Sequence, residues 1–132
     1  GPDAASDLQG VIAWAQDHPG AKLLVEGHAD AVGGDESNVL LSFMRAKAVA
    51  VFPGGFGTFD EFFELLTLIQ TGKMKPIPIL LFGREFWSRV IDFDYMAEEG
   101  VINPDDTGLF HWVETAEEGW ARIVDFYDLD CG

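Results

Sequence analysis

The stretch from Ala48 to Thr71 restricts the fold more than any other part of the chain. An apolar run, AVAVF (Ala48 to Phe52), passes through PGGFG straight into TFDEFFELLTLIQT. In the last segment Phe59, Phe62, Phe63, Leu66 and Ile69 recur at helical intervals. The spacing predicts a helix over Thr58 to Thr71, stopped by Gly72 with Lys73 beside it. A buried strand that turns through glycines into an amphipathic helix is the repeating unit of an α/β sheet. The next apolar run, PIPILLF (Pro76 to Phe82), shows no alternation, as expected of a strand covered on both faces. Its prolines fall at the entry, where a missing N–H costs least.

The rest of the chain extends this pattern. Leu8, Val11, Ile12 and Ala15 predict a helix over Ser6 to Asp17, and KLLVEG predicts a strand over Lys22 to Gly27. Residues 36–46 read as helical, with Val39, Leu40, Phe43 and Met44 on one side. Glu85 to Glu99 reads as another helix, with DFD as a point where it kinks or ends. Leu109 to Glu114 is the last expected strand, and Thr115 with Glu118 forms a capping box for a helix reaching about Tyr127. The expected fold class is α/β: one small three-layer, Rossmann-like or flavodoxin-like domain over residues 3–132, with about four parallel strands and helices on both faces. In such sheets ligands bind beyond the carboxyl ends of the strands, which singles out the loops Gly27 to Glu36, Pro53 to Thr58, Gly83 to Glu85 and Glu114 to Thr115.

Charge narrows the partners. Asp and Glu number 23 against 8 Lys and Arg, a formal charge of −15, so nucleic acid and anionic membranes are not expected partners. A phosphate ligand needs a local site. No segment approaches the roughly 18 apolar residues of a membrane span. The single Cys131 fits a reducing, cytoplasmic setting, and Gly1-Pro2 reads as the scar of a tag-removing protease. His28, Asp30, Asp35 and Glu36 have no regular metal-ligand spacing, so no metal and no cofactor are expected. His111 and the tryptophans Trp14, Trp87, Trp112 and Trp120 are read as packing residues.

The glycine loop carries the clearest chemistry. Gly54, Gly55 and Gly57 let a ligand approach the backbone, the following helix points free N–H groups at it, and Thr58 adds a hydroxyl. Asp60 and Glu61 are placed in the helix's first turn. Spacing alone leaves open a phosphate cradle or a plain tight turn.

PGGFGTFDE resembles the PGGxGTxxE signature of the LONELY GUY family, lysine-decarboxylase-like proteins that are nucleoside-monophosphate phosphoribohydrolases. The likeness runs from about Met44 to Tyr127, through MRAKAVAV, LLTLIQTGKMKPIPILLFGREFW and EEGVINPDDTGLF. It implies that Gly54, Gly55, Gly57 and Thr58 hold a nucleotide phosphate, and that Glu61 works at the ribose with an upstream arginine. That arginine falls at or near Asn38 and does not carry over, so the resemblance does not by itself imply hydrolysis.

A second pattern precedes it. Asn38, Leu41, Ser42, Arg45, Ala46 and Val49 match N-x2-LS-x2-RA-x2-V of the OmpA-like peptidoglycan-binding domain, and VEGHAD resembles its second strand. That resemblance, over about Leu8 to Val49, implies that Asp30 and Arg45 hold diaminopimelate. Two resemblances meeting at MRAKAV suggest a chimera, an engineered or recombined scaffold without a selected activity that keeps a phosphate or nucleoside-monophosphate loop. The alternatives are a weak phosphoribohydrolase and a peptidoglycan-binding module. Surfaces that would face a missing half suggest a homodimer.

Overall fold

The computed structural model describes residues 2–17, 21–26, 38–43 and 46–128, with side-chain surroundings for 9–17 and 47–128. All four residues of β4, Ile79–Phe82, are buried, because both of its faces are covered. β4 pairs in parallel with β3, Ala46–Val51, at Val49↔Ile79 and Val51↔Leu81. On its other side it pairs in parallel with β5, His111–Val113, at Leu80↔His111 and Phe82↔Val113. Pro78, at the entry to β4, lacks an N–H but still accepts from the Val49 N–H at 3.0 Å.

Alternate residues of these strands feed two cores. Ala50, Phe52, Leu80 and Phe82 meet Val11 of α1, Pro2–Gln16, and Ile123 of α5, Ala116–Tyr127. On the opposite face Val51, Ile79 and Leu81 meet α2 (Phe56–Gln70), α3 (Arg84–Val90) and α4 (Phe93–Glu98). The second core is aromatic: Phe62 lies 5.5 Å from Trp87 and 6.0 Å from Phe110 between ring centroids, and Phe93 lies 4.5 Å from Phe110. Trp87 has no exposed surface, and its indole N–H donates to the Phe82 carbonyl at 2.9 Å. The architecture is three layers, with α1 and α5 on one face of the sheet and α2, α3 and α4 on the other.

The α/β class, the parallel strands and the helices on both faces are as expected, but three details are corrected. Among the described residues the sheet has five strands in the order β1-β2-β3-β4-β5, of which β3, β4 and β5 run parallel, three rather than four. β1, Ala21–Glu26, and β2, Asn38–Phe43, are antiparallel to each other, and β2 is antiparallel to β3. Within the helix expected over 36–46, the described residues Asn38–Phe43 therefore form a strand. Its apolar residues are contiguous (VLLSF), a short run that periodicity cannot assign, and pairing on both sides decides it.

Second, the helix expected over Glu85 to Glu99 is two helices. Ile91 is extended and the Asp92 carboxylate caps α4 through the Tyr95 N–H at 2.9 Å, so DFD ends one helix and starts the next. Third, β5 is shorter than expected, and the capping box at Thr115 is half formed. The Thr115 hydroxyl accepts from the Glu118 N–H at 3.1 Å, but the Glu118 carboxylate accepts from the Glu114 N–H instead, at 3.4 Å. Among the described residues no helix is long and apolar enough to cross a membrane.

Candidate functional site

Parallel pairing brings the carboxyl ends of β3, β4 and β5 to one edge, and the turns that follow brace one another. Gly83, after β4, has φ +89°, and a Cβ there would lie 3.1 Å from Cγ of Pro53, after β3. Only glycine meets both demands. The Gly83 N–H donates to the Val113 carbonyl at 3.3 Å, and the Arg84 N–H to the Glu114 carboxylate at 3.1 Å. The Arg84 guanidinium lies over the Trp112 ring, 5.4 Å from its centroid.

Within this frame α2 presents an open N-terminus. Its cap, Gly55, is extended (φ −98°, ψ −154°) and has no side chain to bond the first turn; its carbonyl accepts the first helical bond, from the Phe59 N–H at 3.1 Å. The N–H groups of Phe56, Gly57 and Thr58 thus have no intrahelical acceptor. The helix begins at Phe56 rather than Thr58, which corrects the expected position of Asp60 and Glu61: they fall in the second turn, and the first carries no carboxylate. Other helices are closed differently. Glu114 occupies the start of α3, Asp92 that of α4 and Thr115 that of α5.

The loop residues suit close approach by an anion. Gly55 is exposed, with no atom within 4 Å of where a Cβ would stand, and Gly54 and Gly57 are half-buried. Thr58 is only 4% exposed, and its hydroxyl has no hydrogen-bond partner among the described residues. An unsatisfied buried hydroxyl costs about 1–3 kcal/mol. Glu61 is half-buried and stands three residues after Thr58 and four after Gly57, on the same helical face. A ligand on the N–H groups of the first turn would have the Thr58 hydroxyl beside it and the Glu61 carboxylate one turn further along the helix.

Of the other expected site residues, Asp30 and Arg45 lie outside the described residues, as does His28. Asn38 is the register partner of Val51, which places the position matched to the upstream arginine beside the carboxyl end of β3. Gly54, Gly55, Gly57, Thr58 and Glu61, named from the sequence, share the β3–α2 turn and the first two turns of α2, and two neighbours were not named with them. Glu114 closes the neighbouring helix start, and Phe56, 89% exposed, stands at the mouth of the loop. An aromatic between two glycines, with no side chain on either neighbour to pack against, was the available signal for Phe56. Among the described residues no group of three His, Cys, Asp or Glu side chains is placed to hold a metal ion.

Comparison with known proteins places part of the chain beside phosphoribohydrolases. A probable cytokinin riboside 5'-monophosphate phosphoribohydrolase of Oryza sativa subsp. japonica is 29% identical over 83 residues, 62% of this chain and 39% of its own length. Two proteins of Arabidopsis thaliana, a cytokinin riboside 5'-monophosphate phosphoribohydrolase and a probable one, are 29% and 28% identical over the same share of this chain. The chain spans about two fifths of the length of these relatives. The similarity supports the phosphoribohydrolase resemblance and not the joining of two families, since the family match includes residues 39–49, on which the peptidoglycan resemblance also drew. A family model described as "Possible lysine decarboxylase" matches residues 39–123, nearly two thirds of the sequence, and to that family the chain belongs.

Proposed function

We propose that the β3–α2 turn binds the phosphate of a nucleoside 5'-monophosphate, and that the chain carries the phosphate-holding part of a phosphoribohydrolase site. The observation that carries this reading is the buried Thr58 hydroxyl, without a hydrogen-bond partner among the described residues, at a helix start with no side-chain cap and no first-turn carboxylate. A phosphate oxygen there accepts from the free N–H groups and the hydroxyl, with the positive end of the helix dipole beneath it. The names of the relatives support the nucleotide class.

The chemistry is hydrolysis of the N-glycosidic bond. The bond from C1' to the base breaks, a water oxygen bonds to C1', and the products are free base and ribose 5-phosphate. Glu61, one turn behind the phosphate, acts at the ribose, where a carboxylate stabilises positive charge developing on the sugar. The position matched to the family's upstream arginine is the uncharged Asn38.

Calorimetry and product analysis test this. AMP and ribose 5-phosphate bind, and adenosine does not. Slow release of adenine from AMP is lost in Glu61→Gln with AMP binding retained, and Asn38→Arg speeds it. Equal binding of adenosine and AMP would overturn the phosphate assignment, and adenine release unchanged in Glu61→Gln would remove Glu61 from the chemistry.

A further inference from the structure

β3 is longer than the strand beside it. Its pairing with β4 runs from Val49 to Val51, and the Val49 N–H already reaches past β4 to the Pro78 carbonyl at 3.0 Å. Side by side along a strand, alternate residues turn their N–H and C=O to the same edge, so the next such residue is Lys47. Its backbone would form an open slot in the sheet. A single side chain fills it: the Tyr127 hydroxyl donates to the Lys47 carbonyl at 2.7 Å and accepts from the Lys47 N–H at 3.4 Å. Tyr127 is the last residue of α5, eighty residues away in sequence, and packs against the same core as Ala48 and Ala50.

We propose that Tyr127 is a strap, its hydroxyl standing in for a strand residue so that the last turn of α5 and the open end of β3 are held, and released, as one unit. One hydroxyl meets both a donor and an acceptor of the same residue, as a neighbouring strand would. It leaves no free backbone pair at that slot for another chain to join. The helix stops directly behind it, at Asp128 in the left-handed region with φ 53°, so the strap is the final contact of α5.

Hydrogen exchange on Tyr127→Phe tests the proposal, because the ring and its packing are kept and only the hydroxyl is lost. Exchange at the Lys47 amide and at the amides of 124–127 is expected to speed up together, at least tenfold, while the Val49 amide keeps its rate. Unchanged exchange at Lys47, acceleration at Lys47 without the end of α5, or a uniform rise across the whole sheet would each overturn it. Tyr127→Leu, which removes hydroxyl and ring, gives the same paired acceleration if the strap reading holds. A Leu variant that opens α5 alone contradicts it.

Discussion

Thr58 shows how one atom sets a balance between stability and binding. Its hydroxyl is buried and has no partner among the described residues, so replacing it with a methyl group of the same shape removes a cost. Thr58→Val is expected to raise stability by about 1 kcal/mol in chemical denaturation. The same variant is expected to weaken AMP binding about tenfold, the loss of one hydrogen bond to a charged group. A variant neither more stable nor weaker in binding would mean the hydroxyl faces nothing. The residue type was legible in PGGFGT, whereas its burial was not, because burial comes from what α2 packs on.

His111 gives a pH dependence with a definite sign. Burial pushes its pKa below the ordinary 6.5, Arg122 adds to this, and Asp125 opposes it. The folded state therefore binds fewer protons than the unfolded chain just below pH 6.5, and stability falls as pH drops through that value toward the lowered pKa. Above 6.5 the contribution is flat. Melting curves of His111→Gln are expected to lack this slope, so that the stability difference between wild type and variant changes below pH 6.5 and is constant above it.

At the scale of elements, the helices with wide apolar stripes were legible and the shorter segments were not. Phe59, Phe62, Phe63, Leu66 and Ile69 allow one periodicity only, and α2 forms there. β2 was misread because VLLSF is too short for periodicity to decide, and its identity depends on the two strands that flank it. The turn after β4 is an element-level constraint of the same kind, set by a neighbour. Gly83→Ala forces a side chain onto φ +89° and toward Pro53, with an expected cost of about 1–3 kcal/mol by denaturation. Because Pro53 leads into the glycine loop, AMP affinity should fall with it. An alanine variant of wild-type stability would show that Pro53 yields freely.

For the whole molecule the net charge of −15 is the dominant long-range term. Like charges repel most in the compact state, and salt shortens the reach of that repulsion from about 30 Å at 0.01 M to about 8 Å at 0.15 M. The melting temperature is therefore expected to rise over that range of sodium chloride, and a fall would mean that attractive pairs outweigh the repulsion. Only one ion pair with described side chains spans a helical turn, Glu85 with Arg89 at 3.9 Å, and both groups are well exposed.

The α/β class, the glycine-rich turn after β3 and the family could be read from the sequence, because each rests on local order: apolar periodicity, the spacing of glycines, a signature of nine residues. What the tertiary structure alone decided is non-local. The antiparallel hairpin of β1 and β2, the brace from Pro53 through Gly83 to Glu114, the buried Thr58 hydroxyl and the slot filled by Tyr127 all depend on residues distant in sequence. Hydrogen bonds and packing between such residues exist only once the layers have closed, so no window of the sequence contains them.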